Sequence, residues 1–208
     1  LAVPVLTSPS DIVINGVTSD ILCNGDGNGS ITITASGGNG TLNPAWTTVI
    51  PGSGIVPGDE DQTGLGGGTY KIIITDDNGC QDSATYVIDE PAAIFSDGTS
   101  SNVSCSGQTD GSITLNLSGG TGTLNTTWTS SSPTFVDPNT DNLINLDSGT
   151  YTLNIIDDNG CLYDTTFVLS TPAPIYASAT KTDVQCNGSA NGEIDLTTSN
   201  GNAPYQWN

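Results

Sequence analysis

Two stretches of this 208-residue chain, 81 residues apart, decide its fold. Residues 68–80 read GTYKIIITDDNGC, and residues 149–161 read GTYTLNIIDDNGC. In both, side chains alternate between two faces over seven or eight residues, which is the period of a half-buried β-strand. The Asn-Gly pair that follows (Asn78-Gly79 in the first stretch) is typical of a type I′ turn, in which both residues have positive φ. We therefore predict a strand, a tight turn and an antiparallel partner strand in each stretch.

The same period runs through the rest of the sequence and predicts a repeat array. Each repeat carries a Cys followed by a Trp: Cys23 and Trp46, Cys105 and Trp128, Cys186 and Trp207. Successive Cys of this set are 82 and 81 residues apart. The predicted organisation is the last strand of a preceding repeat at 1–8, complete repeats at 9–90 and 91–171, and a truncated third repeat at 172–208.

Each repeat is predicted to form a small β-sandwich. Alternating segments in the first repeat lie near 12–17, 30–35, 46–50, 69–75 and 80–88, and Gly-rich turns separate them. Six or seven short strands in about 81 residues favour an immunoglobulin-like sandwich. The fold class is therefore all-β, with tandem immunoglobulin-like repeats, and Pro in the short linkers predicts that they form an elongated rod. The predicted core residues are Trp46, Trp128, Tyr70 and Tyr151; sugar stacking by the two Trp is the alternative.

The five Cys indicate disulfides in an oxidising compartment. The chain has no His and no C-x-x-C spacing, so a zinc site is disfavoured. The alternation of residues 80–88 places Cys80 on the core side, as an inter-sheet bridge requires. The predicted bridges are Cys23–Cys80 and Cys105–Cys161, and Cys186 is unpaired by truncation.

The charge balance excludes several function classes. There are 22 acids, two Lys, no Arg and no His, giving a net charge of −20. Such a chain cannot neutralise phosphates, so neither nucleic acid nor an anionic membrane surface is expected as a partner. No apolar run is long enough for membrane insertion in this segment. Without a His there is no usual general base, and nothing activates the many Ser, so we expect no enzyme.

Acidic residues beside the Asn-Gly turns are weak candidates for Ca²⁺ ligands, because carboxylate oxygens are what this ion prefers. They are Asp76 and Asp77 in the first repeat and Asp157 and Asp158 in the second. Solvated acids are the favoured interpretation, and no other cofactor is expected.

The repeat resembles the SprB repeat of very long cell-surface proteins in gliding bacteria of the Bacteroidetes type. The residues that carry the resemblance are Cys23-Asn24-Gly25, Asn28-Gly29-Ser30-Ile31, Gly37-Gly38, Trp46, Gly68-Thr69-Tyr70, Asp76-Asp77-Asn78-Gly79-Cys80 and Glu90-Pro91. The second copy reads Cys105-Ser106-Gly107, Asp110-Gly111-Ser112-Ile113, Gly119-Gly120, Trp128, Gly149-Thr150-Tyr151 and Asp157-Asp158-Asn159-Gly160-Cys161. The similarity covers nearly the whole chain.

The resemblance implies a surface adhesin, exported by the type IX secretion system to the exterior of the outer membrane and moved by the gliding machinery. The implied partners are neighbouring repeats of the same chain, and the gliding and secretion machinery through other parts of the parent protein. Asp82-Ser83 and Asp164-Thr165 resemble the O-glycosylation motif of surface proteins in this bacterial group, which makes Ser83 and Thr165 candidate glycan sites.

Two functions follow from these features. The first is a repeat or stalk segment of a very long secreted adhesin that serves gliding motility and surface attachment. The alternative is a glycan- or protein-binding β-sandwich module, in which loops 49–64 and 130–145 recognise the ligand. These loops differ most between the copies, and loops on a repeated scaffold commonly carry binding.

Overall fold

The computed structural model describes residues 8–201 and 204–206, and this part of the chain is all-β. Its strands are β1 (Val13–Ser19), β2 (Gly29–Ser36), β3 (Asn43–Ile50), β4 (Gln62–Leu65), β5 (Gly68–Thr75), β6 (Gln81–Ile88), β7 (Phe95–Ser96), β8 (Thr99–Ser101), β9 (Gly111–Thr114), β10 (Leu117–Ser118), β11 (Asn125–Ser130), β12 (Leu143–Leu146), β13 (Gly149–Ile156), β14 (Leu162–Leu169), β15 (Tyr176–Thr182) and β16 (Glu193–Ser199). Among the described residues, no helix has the length and apolar character needed to cross a membrane. Of the predicted strand at 1–8, only Ser8 belongs to the described residues. Trp207 lies outside them.

The first copy of the repeat folds as two antiparallel three-stranded sheets, with strand orders β1-β2-β4 and β3-β5-β6. Alternate residues of both sheets point into one shared core, whose buried members are Ile21, Ile31, Ile33, Trp46, Leu65, Tyr70, Ile72, Ile74 and Ile88. Two sheets around one apolar core form a β-sandwich. Their orders match strands A-B-E and C-F-G of an immunoglobulin-like domain.

Two aromatic residues support this correspondence. Trp46 lies buried on β3, the equivalent of strand C, where antibody domains have their core Trp. Tyr70 lies at the start of β5, and its hydroxyl donates to the carbonyl of Gly66, four residues upstream, at 2.6 Å. In the second copy the Tyr151 hydroxyl donates to Asp147 O at 3.0 Å. Both are tyrosine corners, the hallmark of strand F.

The second copy repeats the same order, with sheets β8-β9-β12 and β11-β13-β14. Its first hairpin is interrupted, so that β7 and β10 form a separate two-stranded pair. The third copy is described as one hairpin, β15-β16, in which Tyr176 pairs with Ser199 and Thr182 with Glu193. The predicted alternating segments thus form strands, and the predicted neighbours β5 and β6 pair from Gly68↔Ile88 to Thr75↔Gln81.

The predicted type I′ turn between β5 and β6 is wrong. Gly79 has a positive φ of 84°, but Asn78 does not. Gly79 N donates to Asp76 O and Asp76 N donates to Cys80 O, both at 3.0 Å, which defines a three-residue loop with Gly in the left-handed position. The Asp76 carboxylate decides the geometry, because it accepts the N–H of Asn78 and favours a right-handed conformation before the glycine.

The Trp residues predicted as core are buried, and the sugar-stacking alternative is wrong for this reason. The Trp46 ring packs against Tyr86 at a centroid distance of 6.2 Å, and its Nε1 donates to Glu60 O at 3.1 Å. Trp128 packs against Phe167 at 5.8 Å. Neither ring presents a free face on which a sugar could stack. Tyr70 and Tyr151 are also buried.

The chain divides into two compact units. One comprises the chain up to Phe95 together with Leu117–Asn125 and Ile156–Tyr163; the other comprises Ser96–Asn116, Thr126–Ile155 and the chain from Asp164 onward. Two turns of the second repeat thus group with the first repeat.

Candidate functional site: a disulfide between a loop and a turn

Cys23 is bonded to Cys161, with an S–S distance of 2.06 Å and a Cα–Cα distance of 5.5 Å. The two residues are 138 positions apart and belong to different copies of the repeat. The predicted bridges Cys23–Cys80 and Cys105–Cys161 are therefore wrong. Among the described residues, Cys80, Cys105 and Cys186 are free and exposed.

The error has a local cause. Strand β6 begins at Gln81, so Cys80 lies in the turn before it and the alternation of the strand does not determine its direction. The alternation itself is correct, since Ile88 is buried and Ala84 and Tyr86 are half-buried. The bridge consequently lies outside the sandwich core, and the core Trp residues pack against aromatic rings rather than sulfur.

A buried carboxylate shapes the turn that carries Cys161. Asp157 Oδ1 accepts the backbone N–H groups of Asn159 at 2.9 Å and Cys161 at 2.8 Å, while Oδ2 accepts that of Thr121 at 2.8 Å. The carboxylate thereby closes the turn and ties it to the neighbouring loop. Asp76 makes the same three contacts in the first copy, with Asn78, Cys80 and Asn39.

Asp76 and Asp157 stay ionised although they are only 3% and 4% exposed. Burial raises the pKa of each carboxyl, but the backbone N–H donors outweigh it and hold both pKa values below the ordinary 3.8. Among these donors, the N–H of the cysteine that follows in the turn, Cys80 or Cys161, lowers the pKa most.

The carboxylates proposed as Ca²⁺ candidates are thus engaged with backbone groups. Asp77 and Asp158 each accept one N–H, from Thr41 and Thr123, at 2.9 Å. Over the described ranges, no group of three or more His, Cys, Asp or Glu side chains is arranged to hold a metal ion.

The loop that carries Cys23, here called the Cys23 loop (residues 20–28), is tied to the segment that leaves β6. Ile21 N donates to Asp89 O at 3.0 Å, and Asp89 N donates to Asp20 Oδ1 at 2.9 Å. The position of Cys23 is therefore fixed by the end of its own sandwich.

Glu90 holds the other side of this loop. Its Oε1 accepts Gly25 N at 2.7 Å and Asn24 Nδ2 at 3.3 Å, and its Oε2 accepts Gly67 N at 3.3 Å. Asn24 Nδ2 also donates to Pro91 O at 3.0 Å. In the sequence, Glu90 stands out only as part of the Glu90-Pro91 motif, which does not indicate this role.

Asn24 and Glu90 are both replaced in the second copy, by Ser106 and Thr171. This joint replacement is the one sequence signal that could have linked the two residues. A hydrogen bond lies beside the Cys23–Cys161 bridge: Asn159 Nδ2 donates to Leu22 O at 3.0 Å.

The remaining predicted sites lie elsewhere. Ser83 is exposed on β6 and Thr165 is half-buried on β14, and their glycosylation stays a prediction. Loop 49–64 is fastened by the buried side chain of Gln62, which exchanges hydrogen bonds with Val56. In loop 130–145, Asp137 Oδ2 accepts Trp128 N at 3.0 Å.

The solved structures that this chain resembles include two proteins with several Ig domains. The N-terminal eight Ig domains of Down Syndrome Cell Adhesion Molecule isoform 1.30.30 align at 14% identity and TM-score 0.44, over 79% of this chain and 25% of that one. The full ectodomain of mouse nectin-like molecule 4 aligns at 16% identity and TM-score 0.41, over 78% of this chain and 64% of that one. No curated protein matches significantly.

The strand order, the buried Trp and the tyrosine corner define the class of protein as tandem immunoglobulin-like β-sandwiches. The family model of the SprB repeat matches residues 15–48, 98–132 and 178–208. The chain therefore contains three segments that match the SprB repeat, as its motifs indicated.

Proposed function

We propose that this chain is a stalk segment of a very long cell-surface adhesin, exported by the type IX secretion system and used in gliding motility and surface attachment. In this role the repeats act as a non-catalytic spacer that carries a distal binding region away from the cell. Their partners are neighbouring repeats and, through other parts of the parent protein, the secretion and gliding machinery.

The observation that carries the proposal is the Cys23–Cys161 bridge, because it closes a loop of 138 residues across two successive copies of the repeat. A stalk under tension benefits from a covalent link that bypasses most of the folded chain. Structural disulfides also fit an extracellular location. The net charge of −20 supports solubility of a long exposed array.

Single-molecule pulling between the two ends of the chain tests this mechanical role. With the bridge intact, only the segments outside residues 23–161 can extend. Reduction should release 138 further residues, roughly 450–500 Å at about 3.3–3.6 Å per residue. The double variant C23S/C161S is the control and should extend as the reduced chain does without added reductant. Equal extension before and after reduction would show that the bridge does not bear load.

The cellular role is tested by labelling live, intact cells with antibodies raised against residues 9–171. Label on surface filaments that travel along the cell is the expected result. Label found only in the medium would contradict a motile adhesin and favour a secreted binding protein.

One observation favours a second function, a glycan- or protein-binding module. In loop 130–145, Val136 is 82% exposed, and it borders the same groove as the exposed Ile144 and the polar Ser132 and Thr134. Saturable binding of the whole chain on a glycan array, lost in V136D, would favour this function over a spacer.

A further inference from the structure

Two of the free cysteines, Cys105 and Cys80, lie in incomplete copies of the bridged site. Around Cys23–Cys161, a groove is formed by the Cys23 loop, residues 91–94, Gly120 and the turn at 157–163. A second groove is lined by residues 104–106, residues 172–175 and Gly201. These positions correspond one by one to the first three parts of the bridged groove, at offsets of 81 or 82 residues. The second groove contains Cys105 but no turn.

A third groove has the complementary composition. It is lined by residues 9–12, Gly38, Asp76 and residues 80–82, which correspond to 91–94, Gly120, Asp157 and 161–163. It contains the turn and its Cys80 but no Cys-bearing loop. Each of the two incomplete grooves thus holds the half that the other lacks.

The cysteine loops have the same conformation whether or not the sulfur is bonded. The carbonyl of Cys23 accepts Asp26 N at 3.2 Å, that of Cys105 accepts Gln108 N at 3.1 Å, and that of Cys186 accepts Ser189 N at 3.1 Å. The glycine two residues after each Cys has positive φ: Gly25 at 86°, Gly107 at 81° and Gly188 at 85°. The loop of Cys105 is therefore already shaped for a bridge.

The turns are equally alike. Gly79 N donates to Asp76 O and Gly160 N donates to Asp157 O, both at 3.0 Å. The free Cys80 is therefore held in the same turn as the bonded Cys161. The backbone of each half thus has the same turn hydrogen bond as in the bonded pair.

Burial shows what the second groove is missing. Ile94 beside the bonded pair is 8% exposed, while its counterpart Ile175 in the second groove is 60% exposed. In both grooves the isoleucine contacts the equivalent glycine, Gly120 or Gly201, so the floor of the groove is formed. The exposed apolar surface corresponds to the place where the bridged groove has its turn.

We propose that every junction of the array carries this bridge: Cys105 bonds to the cysteine in the Asp-Asp-Asn-Gly-Cys turn of a following copy of the repeat, and Cys80 to the loop cysteine of a preceding copy. The occupant of the second groove is thus the turn of another SprB repeat. Each bond forms when two thiols are oxidised by a small-molecule disulfide, which accepts two electrons and two protons and leaves as two thiols. The proposal concerns the array alone and does not depend on the adhesin function.

The test extends the full chain by one repeat. A second copy of residues 9–90 is inserted between Thr171 and Pro172, with C23S in the inserted copy and C80S in the original one. The chain is oxidised with glutathione disulfide, alkylated and cleaved before Asp without reduction. Peptide 97–109, which holds Cys105, should be recovered linked to peptide 77–81 of the inserted copy. The retained link between peptides 20–25 and 158–163 shows that the original chain is folded.

A second chain tests the same rule on the other side and covers a folding failure of the first. It carries a copy of residues 91–171 between Ser8 and Pro9, with C161S in the inserted copy and C105S in the original one. Here Cys80 of the original copy should bond to the inserted Cys105. As a control, C105S in the first chain should leave peptide 77–81 alkylated. Alkylated Cys105, or Cys105 bonded to any other cysteine, in a chain that retains the Cys23–Cys161 link would overturn the proposal.

Discussion

Asp76 and Asp157 organise the turns on which the cysteine chemistry depends. Each is a buried acid in a chain with two Lys, and each is stabilised by three backbone N–H groups instead of a cation. From the sequence alone, both residues are weak candidates for Ca²⁺ ligands, like Asp77 and Asp158, and solvated acids are the favoured interpretation. An Asp-Asp-Asn-Gly motif gives the tendency to turn, yet it does not reveal which distant loop will supply the third donor.

We expect D76N to destabilise the first unit at neutral pH, because the amide cannot accept all three N–H groups. Since the pKa of Asp76 lies below 3.8 when folded, its contribution is complete above that value and is lost as the pH falls through the folded pKa. Urea midpoints should therefore differ most near neutrality and converge as the pH falls below 3.8 and through the folded pKa.

The matched control for that variant is D59N, which removes the same charge from an exposed side chain in the same copy. Equal losses for D76N and D59N at neutral pH would show that net charge, rather than the hydrogen bonds of the turn, sets the effect.

At the scale of the strands, the period of two was sufficient for β2, β5, β6 and their counterparts. The sequence did not predict β4 or β12, because four residues that pair only along one edge give no measurable alternation. It also assigned the wrong turn type between β5 and β6, since a side-chain acceptor at Asp76 overrides the preference of Asn-Gly. Side-chain alternation predicts the strands, whereas the turn type depends on a side-chain acceptor within the turn, which alternation does not describe.

The hydroxyl of Tyr70, near the start of β5, gives a prediction about stability. The Tyr70 hydroxyl lies 2.6 Å from Gly66 O and 2.9 Å from Ser53 O, and it accepts Ser53 N at 3.1 Å. Y70F leaves these partly buried groups without their partner and should lower the free energy of unfolding by roughly 1–3 kcal/mol. The measurement is urea unfolding of the full chain.

Y151F provides the comparison, because the Tyr151 hydroxyl has one backbone partner, Asp147 O. Its loss should be smaller, about 0.5–1.5 kcal/mol. A Y151F effect as large as that of Y70F would show that the additional contacts between the Tyr70 hydroxyl and Ser53 do not stabilise the first copy.

At the scale of the whole molecule, composition predicted the class and the charge, but it could not predict the cysteine pairing. In a repeat array, a loop cysteine has the same local sequence relation to the turn cysteine of every copy. Spacing therefore does not distinguish Cys23–Cys80 from Cys23–Cys161. Only the position of the Cys23 loop at the end of its sandwich, held by Asp89 and Glu90, decides between them.

The net charge of −20 gives a second prediction at this scale. The described residues contain a single ion pair, the exposed Lys181–Asp183 at 3.0 Å, so repulsion among the acids is largely uncompensated. Salt screens such repulsion with a Debye length of about 10 Å at 0.1 M and 3 Å at 1 M. Thermal midpoints should rise with NaCl, and a midpoint independent of salt would contradict unscreened repulsion.

Peptide mapping of the oxidised chain shows directly whether the bridge joins successive copies of the repeat. After alkylation, a protease that cleaves before Asp places Cys23, Cys80, Cys105 and Cys161 on peptides 20–25, 77–81, 97–109 and 158–163. We predict a linked pair of 20–25 with 158–163, and alkylated 77–81 and 97–109. Recovery of 20–25 linked to 77–81, with 97–109 linked to 158–163, would contradict this prediction, because each bridge would then lie within one copy of the repeat.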